Sequence, residues 1–117
     1  MGPEQLRDRT KSFAVRIVKV YRALPRRGDA QVLGKQLLRC GTSVAANYRA
    51  ACRGRSRAEW IAKIGLVVEE ADETVFWIEM LVDCEIVSEA KLKELLGEAR
   101  QLSALFTASQ KTARMAG

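Results

Sequence analysis

The sequence contains no histidine. That absence excludes a Ser-His-Asp triad, a Cys-His nucleophile pair, every His-ligated metal site and the Glu-x-x-His di-iron motif of helical bundles. The three cysteines, Cys40, Cys52 and Cys84, are odd in number and show no C-x-x-C spacing. They read as small buried apolar residues in a reducing compartment rather than as a disulfide framework. No apolar run approaches the ~20 residues of a membrane span. No apolar h-region follows the charged N-terminus, and Met1-Gly2 leads into Pro3 without the Ser/Thr at position 6 that myristoylation needs. A cytoplasmic protein with no membrane attachment is expected. Only 2 Pro and 8 Gly stand against 48% hydrophobic residues, so the chain folds, and 117 residues allow one domain, 1–117.

What is present is helical periodicity. Phe13, Ile17, Val20 and Leu24 share one arc of a helix over about 6–24, with Val15 misplaced on the outer side. Pro25-Arg26-Arg27-Gly28 ends it. Asp29 is a plausible N-cap for a second helix over about 30–53, with the stripe Leu33, Leu37, Cys40, Val44, Tyr48 and Ala51. Its small run around Gly41-Thr42-Ser43 is poor helix-forming material, and it suits the close approach of a neighbouring helix. Ser56 and Glu59 form a capping box that opens a third helix over 57–83. There Ile61, Ile64, Val68, Ala71, Val75, Ile78 and Val82 alternate steps of three and four. Ser88 can cap a fourth helix over 89–114, carried by Leu92, Leu95, Ala99, Leu102 and Phe106. No segment alternates with period two. The pattern predicts an all-α, antiparallel up-down-up-down four-helix bundle.

The third helix has more apolar surface than one core face needs. Leu66, Phe76 and Met80 fall outside its seam, among acids. They fit either a wide core-facing stripe or, as favoured here, a second face that docks another subunit.

The net charge of +6 is unevenly distributed: residues 1–57 carry +11, residues 58–87 carry −7 and residues 88–117 carry +2. Lys35, Arg39, Arg49 and Arg53 fall within about an 80° arc of the second helix and span about 27 Å. Arg55 and Arg57 extend the row, and Arg16, Lys19, Arg22, Arg26 and Arg27 are secondary candidates. Guanidinium forks in such a row suit phosphate contacts along RNA or DNA. No aromatic shares the arginine face, so base stacking is not suggested. The competing reading pairs these cations with Glu69, Glu70, Asp72, Glu73, Glu79 and Asp83 of the third helix, so that the charges serve assembly or a protein partner. The acid cluster has no matching acids elsewhere, and neither a metal, a cofactor nor a catalytic residue is expected. Thr42 and Ser43 have no base to activate them.

Between Arg39 and Leu81 the sequence contains Gly41-Thr42-Ser43-Val44, Ala46-Asn47-Tyr48-Arg49, Arg57-Ala58-Glu59-Trp60, Glu70-Ala71-Asp72-Glu73-Thr74 and Trp77. With Ala108-Ser109 and Lys111-Thr112-Ala113, these resemble the four-helix-bundle proteins encoded in intervening sequences of bacterial 23S rRNA genes. The similarity runs from about residue 10 to 114 and lies in the order and spacing of the motifs. The resemblance implies a homopentameric ring with no established biochemical activity. It also implies a fold similar to the accessory variability protein of diversity-generating retroelements, a basic, non-enzymatic, nucleic-acid-binding barrel. One departure is Ala50, where the family often has an acid, and it leaves the end of the second helix more basic.

Overall fold

A computed structural model describes residues 1–116; Gly117, the last residue of the expected 1–117 unit, lies outside the described residues. Four helices follow one another: α1 (Pro3–Ala23), α2 (Gly28–Ala51), α3 (Arg57–Asp83) and α4 (Glu89–Met115). They pack side by side into a rod of 47 × 21 × 19 Å. α1 lies on α2, α2 on α3, α3 on α4, and α4 returns to α1 more loosely.

The pairings run in opposite directions along the chain. On α2, Gly34 meets Leu24 and Tyr21 of α1, whereas Gly41 meets Ile17. Arg39 of α2 reaches Glu70 and Glu73 of α3, while Tyr48 reaches Trp60. On α3, Arg57 donates to the Ala116 carbonyl and Glu79 accepts from Arg100. This order fits the up-down-up-down arrangement. It gathers the start of α1, the end of α2, the start of α3 and the end of α4 at one end of the rod.

The core forms where the four stripes converge. Phe13, Ile17, Leu37, Val44, Ile64, Ile78, Leu102 and Phe106 are fully or almost fully buried. Each such side chain contributes roughly 1.5–3 kcal/mol by leaving water. The small run of α2 has a packing role. A Cβ on Gly41 would stand 2.8 Å from Cγ1 and 2.9 Å from Cγ2 of the buried Ile17, so only glycine lets α1 approach there.

Several expectations need correction. α2 begins at Gly28 behind Arg27, with Asp29 inside the first turn; its carboxylate accepts from the Ala30 N–H at 2.8 Å. α2 also ends at Ala51, leaving Arg53 in the turn, where its N–H bonds to the Ala50 carbonyl.

The buried row of α3 is Ile64, Val67, Ala71, Thr74, Ile78 and Leu81. Val68, Val75 and Val82 are only partly buried against it. A threonine occupies the core because its hydroxyl is satisfied locally, donating to the Glu70 carbonyl at 2.7 Å. Leu66 and Phe76 are exposed as expected, but Met80 is half-buried. An unbranched thioether covers itself along a helix surface more readily than a stiff ring does.

The α3–α4 turn is closed by a left-handed residue, Glu85 at φ 58°. The N–H of Ile86 bonds to the Leu81 carbonyl and that of Glu85 to the Val82 carbonyl, the double bond of a Schellman motif. Ser56 accepts from the Glu59 N–H at 3.1 Å, one half of the capping box expected for α3, and Ser88 stands at the N-cap of α4 without a side-chain cap bond. Among the described residues, no helix is long and apolar enough to cross a membrane.

Candidate nucleic-acid interface

All eleven basic residues singled out in the sequence are exposed, but the structure divides them. Arg39 is engaged. Its guanidinium bonds to Glu73 and lies 3.3 Å from an oxygen of Glu70, and the Trp77 indole donates to Glu73 at 3.0 Å. This part of the basic row serves the α2–α3 contact. Beneath it Cys40 is buried, and burial pushes its thiol up to about 11, so it is an inert core group. Arg27, beside Arg26 in the loop at the far end of the rod, pairs with Asp29 in the first turn of α2. Arg16 lies near enough to Glu98 to favour that carboxylate, which puts Arg16 toward α4 and away from the α2 row. Lys19 and Arg22 continue along α1, and Lys35 stands near the start of α2. Arg57 donates to the carbonyl at the end of α4 at 3.1 Å, close to Arg55 in the turn.

Arg49 and Arg53 are different. Among the described residues neither enters an ion pair. They form one wall of a groove of about 660 Å³ between α2 and α1. Arg7 and Lys11 stand on the α1 wall, with Asp8 between them in sequence, and Thr42, Ala45, Ala46 and Cys52 complete the lining. Three cations on α1 and α2 and a fourth in the turn after α2 thus converge on a surface that small side chains keep open.

Directly below, the buried Tyr48 ring packs against Phe106 at 5.0 Å and Trp60 at 6.2 Å. Burial raises the Tyr48 hydroxyl above its ordinary value. No aromatic ring lines the groove itself.

Arg7 and Lys11 were not among the candidate residues. The signal that could have found them is the α1–α2 register: Gly41 opposite Ile17 sets Ala51 opposite Arg7 and Asn47 opposite Lys11. Arg9, two residues from Arg7, points elsewhere. Its fork holds Glu98 of α4 at 2.7 and 2.8 Å, and the guanidinium keeps that carboxyl below the usual glutamate range.

Of the acids, Glu69, Asp72 and Asp83 are exposed on α3 beside Leu66 and Phe76, and Phe76 stacks edge-on to Trp77 at 4.9 Å. Among the described residues no group of three or more acids or cysteines is placed to hold a metal ion.

A model of the 23S rRNA-intervening sequence proteins matches residues 5–108. A crystal structure of a protein of unknown function from the S23 ribosomal protein family of Bacteroides thetaiotaomicron is similar throughout. It has 33% sequence identity and a TM-score of 0.87, covering 95% of this chain and 99% of that one. Among curated proteins, none matches.

Proposed function

The chain belongs to the family of 23S rRNA-intervening sequence proteins, and from that footing we propose that it is a non-enzymatic protein that binds nucleic acid through the α1–α2 groove. The observation that carries this reading is the convergence of Arg7, Lys11, Arg49 and Arg53 on one groove without an ion pair among the described residues. Exposed cations at this spacing bind phosphate backbones by releasing counterions, with weak sequence preference and steep salt dependence. Arg55 and Arg57 extend the same end of the rod and add contacts there.

Self-association, as a homopentamer in this reading, multiplies weak contacts by repeating the groove. The exposed Leu66 and Phe76 support it as the docking face, with Met80 at its edge. Of the three cysteines only Cys40 is buried as expected, with Cys52 half-buried and Cys84 exposed; all three are free, which supports a reducing, cytoplasmic setting. The same acid-flanked apolar face favours a second reading, a scaffold whose partner is another protein.

A salt titration of binding to a generic duplex, with and without Arg49 and Arg53, separates the two. Binding at low salt that falls steeply with salt and weakens on replacing both arginines supports the groove. No binding at low salt leaves the scaffold. Light scattering showing a stable monomer at micromolar concentration would remove the assembly.

A further inference from the structure

One group in the groove is out of place in a site for phosphate alone. Asp8 lies on the α1 wall, flanked in the lining by Arg7, Lys11, Arg49 and Arg53. A carboxylate there repels every phosphate that the four cations attract. None of those cations neutralises it: among the described residues Asp8 enters no ion pair. It is exposed and takes no part in the core, so packing does not account for it. Thr42 lines the opposite wall, and its hydroxyl proton is committed to the Leu38 carbonyl at 2.7 Å. Its oxygen can therefore only accept. The groove thus combines four cations with two oxygen acceptors, and a ligand that suits it offers a hydrogen-bond donor close beside its phosphates.

Nucleic-acid backbones differ in just this respect. A DNA backbone presents phosphates and C–H groups. An RNA backbone adds one 2′-hydroxyl per nucleotide, beside the phosphate, and that hydroxyl is a donor. An O–H donated to a carboxylate is a short, charge-assisted bond. On DNA, Asp8 contributes only repulsion; on RNA, the bond offsets that repulsion.

Resting on the nucleic-acid reading above, we propose that Asp8 makes the groove selective for RNA over DNA. It accepts a hydrogen bond from a ribose 2′-hydroxyl while Arg7, Lys11, Arg49 and Arg53 hold the adjoining phosphates. Thr42 is a second acceptor for the same sugar edge.

The test uses the full chain and three labelled duplexes of one sequence: RNA, DNA and fully 2′-O-methylated RNA. The methylated duplex retains the A-form shape but has no 2′ donor, so it separates hydroxyl from shape. Because the three duplexes share one sequence, they expose the same base donors in their grooves, and these do not account for a difference between them. The wild-type protein is expected to bind RNA about tenfold more tightly than either of the others, the worth of one hydrogen bond to a charged group.

Asp8→Ala, at an exposed helical position where alanine is well tolerated, should bind all three within about twofold of one another. The gain should come mostly from tighter binding to DNA and methylated RNA. Equal binding by the wild type, methylated RNA binding as well as RNA, or a preference surviving in Asp8→Ala each overturns the proposal. Failure of all three duplexes to bind at low salt overturns the underlying reading instead. Circular dichroism of the variant checks that the bundle is intact.

Discussion

Arg39 and Arg49 lie on the same helix, one stretch of basic sequence apart, yet their surroundings are opposite. Arg39 is level with Glu70 and Glu73 of α3 and bonds to both. Arg49 lies about 15 Å further along the axis, beyond Glu70 and Glu73, and with Arg53 in the turn that follows it shares a groove with Arg7 and Lys11. α1 repeats the contrast, since Arg9 is clamped by Glu98 of α4 whereas Arg7 lines the groove. An arginine's role here is set by the register of the neighbouring helix, not by the local charge of its own. The sequence left open whether the basic and acidic blocks face each other or the outside. Both occur, at different heights of one rod.

The largest effect is expected from breaking the wall that both groove helices share. Gly41→Leu forces a side chain into the buried Ile17 and pushes α1 from α2. Overpacking of this kind costs about 3 kcal/mol, readable as a lower urea midpoint. It should also weaken nucleic-acid binding by separating Arg7 and Lys11 from Arg49 and Arg53.

Next comes the contrast itself. Arg49→Ala with Arg53→Ala should lower duplex affinity about thirtyfold, or about 2 kcal/mol, and reduce the salt slope by about two. Arg39→Ala in the same assay should stay within about twofold of wild type, and its stability cost should be below about 1 kcal/mol because the pair is half exposed. If Arg39 matters as much as Arg49, the distinction between the two heights is lost.

The smallest effect concerns the α1–α4 clamp. Glu98→Gln should cost about 1 kcal/mol at neutral pH. Arg9 holds the Glu98 carboxyl below its unfolded value. That stabilisation is therefore complete above the ordinary glutamate range and is lost as pH falls through the lower, folded value. Thermal melts of wild type and variant should converge in that acid window and differ above it.

Much of this architecture was legible because helices announce themselves by period. Phe13 and Ile17, Leu37 and Val44, and Leu102 and Phe106 all took the buried places that their spacing assigned. α3 was harder because it is apolar on most sides. The seam through Val68, Val75 and Val82 and the one through Val67, Thr74 and Leu81 both step by three and four. Hydrophobicity favours the first, and the structure buries the second. Thr74 decides the matter through a hydroxyl bond to Glu70 that a hydropathy count does not register. The candidate site was half legible. Arg49 and Arg53 stood out as a row on one helix, but Arg7, Asp8 and Lys11 join them only once the α1–α2 register is known. That register is fixed by the absence of side chains at Gly34 and Gly41, a feature no search for charged residues would weigh.

The alternation of helix direction has one more consequence. At the arginine-rich end, the N-termini of α1 and α3 sit beside the C-termini of α2 and α4, so the peptide dipoles of the four helices oppose one another and largely cancel. The backbone therefore contributes little to the potential at that end. Its sign and strength rest on a few side-chain head groups. A handful of surface substitutions, or chemical neutralisation of those groups, can retune or abolish the field while leaving the bundle beneath it unchanged.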